Sequence, residues 1–332
     1  MAITAEYTFD NLWAKGISYD KPISYIQIPN FQYGAKEGSD VYSVTNQSSG
    51  YKALNIFGNY RKSLNTHNLS LMLGYNQESN SFTQYYAQRD GLIATNQPSL
   101  SAATGSNYSI TDIISEYSLR GFFGRFNYDY KEKYLVEING RYDGSSKFPE
   151  NNRWVFTPSA SVGWRVSEEN FMRPLHSILS DLKLRASVGK VGNQNIAPYA
   201  FIPTMSPYNP LWLNGTSSLL TSLTTPGLIS ANFTWETVQT KNTGIDFGLF
   251  KNHLTGSFDL FIRETKNILA PGAIPLPAVL GAPAPLQNTA SVTSKGFEAQ
   301  LNWQDRIGQV RYHIGANLFD FQGKVTKFDG KP

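Results

Sequence analysis

Residues that commonly carry catalytic or metal chemistry are few in this chain, and they stand far apart. Histidine can ligate a metal or transfer protons near neutral pH, and cysteine can act as a ligand or a nucleophile. The chain of 332 residues has no cysteine, and its four histidines are His67, His176, His253 and His313. Their spacings match no metal-binding motif such as His-Glu-x-x-His. We therefore expect no metal, no other cofactor and no enzymatic activity, and we interpret His67 and His253 as solvated residues beside short turns.

Two adjacent carboxylates, Glu168 and Glu169, are another candidate for acid–base chemistry. A catalytic pair must converge on the reacting atoms, whereas adjacent side chains point in different directions. The segment around them, SEENFMRPLHSILSD at 167–181, indicates a connection that contains a helical turn. We therefore interpret both glutamates as solvated. The glycines show no phosphate-binding spacing either.

The remaining charged residues of interest lie inside segments in which every second residue is apolar. The structure of these segments decides where the charged side chains lie. Between Trp154 and Trp164 every second residue is apolar, which is the period of a strand with one apolar face. The same pattern predicts about eleven strands in the whole chain. Charges on the other face would be costly to bury in a sealed core but not on the wall of a water-filled lumen. The candidates for such a lumen-facing wall are Glu137, Asn139, Arg141, Arg185, Asp246, Asp259, Arg263, Glu298 and Asn302.

The composition favours β-structure in which half of each strand is polar. Charged residues make up 16% of the chain, against about 25% in typical soluble domains. Aromatic residues make up 14%, and the mean hydropathy is −0.34. No apolar run approaches the ~18–20 residues of a transmembrane helix. The net charge of +4 comes from scattered lysines and arginines, so we expect no nucleic-acid partner.

The connections indicate how the strands are arranged. Short connections near 64–67, 130–133, 250–253 and 305–310 alternate with long ones near 9–50, 79–112, 191–234 and 268–289. An up-and-down sheet with tight turns at one end and long loops at the other is typical of an outer-membrane barrel. The predicted fold is therefore all-β, an antiparallel up-and-down transmembrane β-barrel. Trp154 and Trp164 would lie near opposite lipid–water boundaries, and Pro158 predicts a bulge because proline cannot donate to a ladder.

Long blocks of the chain resemble the SusC/RagA family of TonB-linked outer-membrane transporters. The resemblance runs from about residue 117 to 328. The blocks that carry it are GRFNYDYKEKYLVEINGRYDGSSKF at 124–148, NNRWVFTPSASVGWRVSEENFM at 151–172, DLKLRASVGKVGNQNIAPYA at 181–200, WETVQTKNTGIDFGLFKNHLTGSFDLFIRETKNIL at 235–269 and NTASVTSKGFEAQLNW at 288–303.

The resemblance implies a barrel of about 22 strands with a plug. It also implies a capping SusD-like lipoprotein, energy supplied through TonB, and import of glycan (oligosaccharide) or peptide substrates across the outer-membrane lipid. With its predicted strands, residues 1–332 would form about half of such a barrel as a single partial domain. The sequence matches no plug, TonB-box region or closing strand, so we expect an internal fragment that cannot transport alone.

The predicted long loops contain aromatic residues that could stack on sugar rings or on peptide side chains. These candidate substrate contacts are Tyr85, Tyr86, Tyr208 and Trp212, with Trp235 as a further loop aromatic. The alternative is that they pack the loops against one another or against the cap. The Pro-rich segment LAPGAIPLPAVLGAPAPLQ at 269–287 would be a stiff loop over the mouth or part of a partner interface.

Two other functions remain open at this point. A passive diffusion porin would have the same wall but no plug, and would conduct ions. A soluble β-rich carbohydrate-binding protein would remain soluble without detergent and melt as a monomer. Membrane partitioning and heat-modifiable migration on detergent gels separate these possibilities.

Overall fold

The alternating segments form extended strands, as the sequence predicts. The computed structural model describes residues 1–21, 23–27, 32–37, 40–94, 96–210, 220–230, 233–271, 277, 279 and 284–328. The strands within these residues are β1 (Ala2–Tyr19), β2 (Ile23–Gln27), β3 (Gln32–Glu37), β4 (Tyr42–Leu64), β5 (His67–Arg89), β6 (Tyr108–Tyr130), β7 (Tyr134–Ser145), β8 (Trp154–Arg165), β9 (Leu179–Asn193), β10 (Pro207–Tyr208), β11 (Ser222–Leu223), β12 (Glu236–Leu249), β13 (Leu254–Pro271), β14 (Leu286–Ile307) and β15 (Val310–Phe328).

Eleven of these strands form one sheet, which confirms the predicted strand number. The order is β1-β4-β5-β6-β7-β8-β9-β12-β13-β14-β15, so each strand lies beside its neighbour in sequence apart from two short hairpins. Those hairpins, β2–β3 and β10–β11, are separate two-stranded sheets within long connections. The pairings from β6 to β15 are antiparallel. This order is the predicted up-and-down meander.

The connections alternate between tight and long, also as predicted. The tight turns are 65–66, 131–133, 250–253 and 308–309. Most of their residues adopt the left-handed backbone region, for example Asn65 with φ 54° and Gly308 with φ 62°, which tight reversals require. The connection 166–178 contains two short 3-10 helices, Val166–Glu168 and Asn170–Leu175. This confirms the predicted helical turn.

The helices of the described residues are all short 3-10 segments, the other two being Leu100–Ala102 and Glu150–Asn152. Within the described ranges, no helix has the length and apolar character needed to cross a membrane.

Several strands are longer than the sequence suggests. β4, β5 and β6 each have 23 residues, whereas a tilted strand crosses a membrane in about 9–11. The predicted loop near 79–112 is therefore too long at both ends, since β5 continues to Arg89 and β6 begins at Tyr108, and only residues 90–107 connect the two strands. The surplus residues mix polar and apolar groups on both faces, as with the adjacent Ile113 and Ile114 of β6. Alternation of apolar residues cannot detect such an extension.

The bulge predicted at Pro158 is also wrong. The pairing of β7 with β8 is continuous, and Pro158 lies opposite Gly140. On its other side, the pairing of β8 with β9 includes Ser159 through Arg165 and does not extend to Pro158. Proline is tolerated here because the ladder with β9 does not require its missing N–H.

The chain divides into two compact units. One unit contains residues 6–54 and 77–118. Its small buried cluster joins Tyr42, Leu92 and Ala103, and the Asp90 carboxylate accepts hydrogen bonds from the backbone N and the side-chain Nδ2 of Asn107. The other unit contains residues 1–5, 55–76 and 119–332. It holds the candidate functional site.

Candidate functional site: the polar face of the sheet

The strand register places all the predicted wall residues on one face of the sheet, which we call the polar face. Residues directly opposite each other across a pair of strands share a face, as do residues two apart on a strand. One such row runs from Arg185 through Gly244 and Asp259 to Glu298. A parallel row includes Glu137, Ser161, Ser187 and Asn242. The residues that share this face are Glu137, Asn139, Arg141, Arg185, Asp246, Asp259, Arg263, Glu298 and Asn302.

The opposite face, the apolar face, carries the alternate residues of the same strands. In β8, Trp154 and every second residue to Trp164 are exposed, and the residues between them are half-buried. Large apolar groups such as Ile138 and Leu260 are exposed there. Sheet surfaces that face water do not normally present continuous apolar area, so this face is suited to hydrocarbon.

Aromatic pairs lie at both ends of the apolar face. Trp154 stacks on Tyr142 with ring centroids 4.9 Å apart. Ten residues further along β8, Trp164 stacks on Tyr134 at 6.5 Å. Amphipathic rings at both limits of an apolar band are the pattern of a membrane strand that reaches both headgroup layers.

The centre of the polar face is an ion cluster formed by Arg185, Asp246 and Asp259. Arg185 Nε lies 3.1 Å from both carboxylate oxygens of Asp246. Its terminal nitrogens donate to the two oxygens of Asp259 at 2.6 and 2.5 Å. A guanidinium that binds one carboxylate in a bidentate fashion and a second through Nε holds both carboxylates with charge-assisted hydrogen bonds from all three of its nitrogens. Because Lys183 also lies 3.9 Å from Asp246, two cations face two anions here.

Glycine makes room for this guanidinium. Arg185 has glycine opposite it on both neighbouring strands, Gly163 on β8 and Gly244 on β12. A Cβ at Gly244 would lie 2.6 Å from Asp259 Oδ1 and 2.9 Å from Arg185 Cζ, whereas a Cβ at Gly163 would meet only side chains at 3.4 Å or more. The guanidinium therefore occupies the space above Gly244.

A second polar network lies on β6 and β7. Arg125 Nε donates to Asn139 Oδ1 at 2.7 Å, and Asn139 Nδ2 donates to Glu137 Oε1 at 2.8 Å. Arg141 pairs with Asp143 at 2.8 Å. A depression of about 450 Å³ adjoins Glu137 and Arg185. The polar face thus offers many hydrogen-bonding groups, and the charges of its central cluster are paired.

The predicted loop aromatics do not form one group. The prediction that Tyr85 and Tyr86 lie in a loop is wrong. Both residues belong to β5, which continues to Arg89. Tyr208 is in the connection between β9 and β12 and is exposed. Trp212 lies outside the described residues, as does most of the Pro-rich segment 269–287.

Trp235 is buried in a cluster that the sequence did not reveal. It packs with Phe148 and Phe233, and we call these three residues the loop core. Trp235 and Phe148 stack at 4.8 Å, and Trp235 Nε1 donates to the carbonyl of Arg153 at 2.9 Å. Here the alternative interpretation of the loop aromatics, that they pack loops together, is confirmed for Trp235.

The expectation that Glu169 is solvated is wrong. Its carboxylate accepts hydrogen bonds from Tyr134 Oη at 2.6 Å and Trp164 Nε1 at 3.2 Å, and Lys133 Nζ lies 3.4 Å away. These donors hold the pKa of the Glu169 carboxyl below its ordinary value. The side chain of Glu169 is 16% exposed, whereas that of Glu168 is 42% exposed and fits the expectation. Within the described residues, no three metal-binding side chains cluster.

An antiparallel meander with one apolar and one charged face, sorted connections and aromatic rows is the wall of a transmembrane β-barrel. Comparison with known proteins identifies the family of barrels to which the chain is related. The sequence profile described as "TonB dependent receptor-like, beta-barrel" matches residues 2–332. The chain belongs to this family of TonB-dependent receptor barrels.

Relatives within the family agree with the resemblance found in the sequence. The chain is 32% identical to TonB-dependent receptor P3 of Formosa agariphila over 75% of its own length and 24% of that protein. It is 29% identical to TonB-dependent receptor SusC of Bacteroides thetaiotaomicron over 88% of its length and 29% of that protein. The chain therefore spans about a quarter of these curated relatives.

Solved structures show the same fold. The structure described as that of the RagAB peptide transporter superposes with a TM-score of 0.81, covering 98% of this chain and 35% of that one at 21% identity. The ferric citrate transporter FecA superposes with a TM-score of 0.52 at 11% identity, covering 97% of this chain and 40% of that one.

Proposed function

We propose that this chain is a wall segment of an outer-membrane importer that takes up large nutrients, either oligosaccharides or peptides. In this proposal the polar face lines the aqueous lumen, and the apolar face contacts outer-membrane lipid. The whole protein works with a SusD-like lipoprotein and draws energy through TonB. The relation to SusC and the fold shared with a peptide transporter support this function.

The observation that carries the proposal is the ion cluster on the polar face. Arg185, Asp246 and Asp259 are charged groups in the middle of β9, β12 and β13, whose other face exposes apolar groups such as Ile245 and Leu260. A soluble protein would have to cover that apolar face, and a lipid-exposed cluster would be very costly. Only a sheet with water on one side and hydrocarbon on the other satisfies both faces.

The wall performs no bond chemistry in this proposal and guides a polar cargo. Because Arg185 and Lys183 balance Asp246 and Asp259, the centre of the wall presents hydrogen-bonding groups with little net field. Such a surface suits neutral sugars and peptides of mixed charge better than a strongly charged one. An exposed loop ring such as Tyr208 is a candidate to stack on the substrate.

The two faces can be tested with single cysteines, because the chain has none of its own. Ser161→Cys and Ser187→Cys would place a thiol on the polar face. Ala160→Cys and Ala186→Cys are matched controls on the apolar face of the same strands, each one residue away. The full-length protein in native outer membranes would be treated with a charged, membrane-impermeant maleimide.

We expect rapid labelling at Ser161→Cys and Ser187→Cys and very slow labelling at Ala160→Cys and Ala186→Cys. The reagent reacts with a thiolate, which hydrocarbon suppresses. Equal labelling of both sets, or a protein that leaves the membrane fraction without detergent, would favour the soluble carbohydrate-binding alternative. Ion conductance by the full-length protein without TonB would favour the porin.

Cargo class and partner require a test in cells. Deletion of the full-length gene should abolish growth on the oligosaccharide or peptide that it imports, and deletion of tonB should have the same effect. Uptake that persists without TonB, or that does not need an adjacent SusD-like gene, would contradict that part of the proposal.

A further inference from the structure

The connection 166–178 differs from every other connection at the tight-turn end of the sheet. The others have two to four residues, whereas this one contains two 3-10 helices. Three of its residues, Val166, Ser167 and Met172, are buried. Phe171, Leu175 and Ile178, however, are 64%, 48% and 55% exposed. The segment therefore buries part of its chain while it exposes three large apolar side chains.

The segment is fastened to the apolar side of the sheet. Glu169, between its two helices, accepts hydrogen bonds from Tyr134 and Trp164. These two rings form the aromatic pair at the tight-turn end of the apolar face. His176 Nε2 also lies 2.6 Å from the carbonyl oxygen of Ser167, which closes the segment on itself. The segment that carries the exposed apolar groups is thus tied to the aromatic row through Glu169.

The charges of the segment suit contact with phospholipid headgroups. Arg173 is exposed and stands between Phe171 and Leu175 in sequence, while the carboxylate of Glu169 is occupied by its three donors. A short structured segment with outward apolar groups and an exposed cation is suited to a phospholipid headgroup layer, where the apolar groups enter the acyl boundary and the cation meets phosphate.

We propose that residues 166–178 form an interfacial anchor in the phospholipid headgroup layer at the tight-turn end of the wall. Phe171, Leu175 and Ile178 enter the membrane boundary, and Arg173 pairs with lipid phosphate. Glu169 is a positioning residue that ties the segment to the apolar face. This inference rests on the proposed function in one respect, since it requires lipid against the apolar face.

The test uses the full-length protein reconstituted into vesicles of phosphatidylethanolamine and phosphatidylglycerol. A polarity-sensitive fluorophore is attached to a single cysteine at Phe171→Cys or, as a repeat, Leu175→Cys. Two controls bracket the expected environment: Val162→Cys on the apolar face of β8, and Glu132→Cys in the neighbouring tight turn, whose side chain is 76% exposed. Heat-modifiable gel migration verifies that each variant is folded.

We expect nitroxide-labelled phospholipid to quench the fluorophore at 171, and aqueous iodide to quench it about threefold less than at 132. Adding Glu169→Ala should raise iodide quenching at 171 towards the value at 132 and leave Val162→Cys unchanged. Strong iodide quenching at 171, with lipid quenching at 162 intact, would overturn the anchor and leave the proposed function standing.

Two other outcomes also decide the matter. Protection of position 171 from both quenchers would mean that protein, not lipid, covers the segment, and would overturn the anchor. Loss of lipid quenching at 162 would overturn the proposed function and the anchor with it.

Discussion

The loop core and the ion cluster both join parts of the chain that are distant in sequence, but they do so with opposite chemistry. Phe148, Phe233 and Trp235 exclude water with aromatic rings. The ion cluster joins Arg185 to Asp246 and Asp259 with charge-assisted hydrogen bonds. One lies among the connections and the other in the middle of the strands.

The difference follows from what each face of a membrane wall contacts. A strand between lipid and water has no sealed interior, so its apolar groups remain exposed and its polar groups remain hydrated. Apolar burial is then possible only where connections fold over one another. The large buried apolar side chains of the described residues lie in connections or at the first residue beside one: Tyr42, Leu92, Phe148, Val166, Met172, Phe233 and Trp235.

The largest expected effect comes from truncating the loop core. Trp235 is 5% exposed, so Trp235→Ala should weaken the closed state of this region by about 3–5 kcal/mol. Protease cleavage within 194–235 of the folded full-length protein should then be much faster, because cleavage follows the population of the open form. Heat-modifiable migration of the barrel should not change.

Trp235→Phe is the matched control. It keeps an aromatic ring but loses the hydrogen bond to the Arg153 carbonyl, and we expect a cost of about 1–2 kcal/mol. If Trp235→Ala instead unfolded the whole barrel, the distinction between a connection-based core and a wall without one would be lost. Unchanged cleavage would show that the loop core does not hold the connection.

An intermediate effect should come from filling the space beside the ion cluster. In Gly244→Ala the new methyl group would clash with Asp259 Oδ1 and the Arg185 guanidinium, so we expect about 1–3 kcal/mol of destabilisation. In Gly163→Ala, on the other side of Arg185, the methyl group meets only ordinary contacts. That variant should be neutral or stabilised by about 0.5 kcal/mol through the unfolded chain.

Urea unfolding of the full-length protein in detergent micelles would measure both glycine variants. Equal midpoints for Gly244→Ala and Gly163→Ala would mean that the cluster is loose enough to move aside. It would then contribute hydration to the wall and little stability, unlike the loop core.

The sequence predicts the wall more fully than it predicts these contacts. Period-two alternation is local, so Trp154 through Trp164 and Glu137 through Arg141 could be assigned to opposite faces without knowing their neighbours. The pairing of Arg185 with Asp246 and Asp259 depends on the register between strands, across 61 and 74 residues of chain. The charges could be predicted as wall residues, but their partners could not.

The errors also have physical causes. The sequence predicts a loop at Tyr85 and Tyr86 because the end of β5 has polar residues on both faces, which removes the alternation. Phe148 and Phe233 gave no signal because single aromatic residues in separate connections have no period. Glu169 gave none because its donors, Tyr134 and Trp164, serve equally well as residues of an aromatic row.

The smallest expected effect concerns the Glu169 contact, which combines aromatic donors with a charge and so lies between the two chemistries compared above. Its folded-state pKa is lowered by hydrogen bonds from Tyr134 and Trp164 and by Lys133. A carboxyl with a lowered pKa stabilises the folded form above its ordinary value of 4.5, and this contribution is lost as the pH falls through the folded-state pKa. Segment 166–178 should therefore loosen in acid, which iodide quenching of a fluorophore at Phe171→Cys would detect as a modest rise.

Glu169→Gln, which has no charge to lose, should give quenching that does not change over the same pH range. A parallel rise in both proteins would assign the acid response to other groups, and Glu169 would then hold the segment by hydrogen-bond geometry alone.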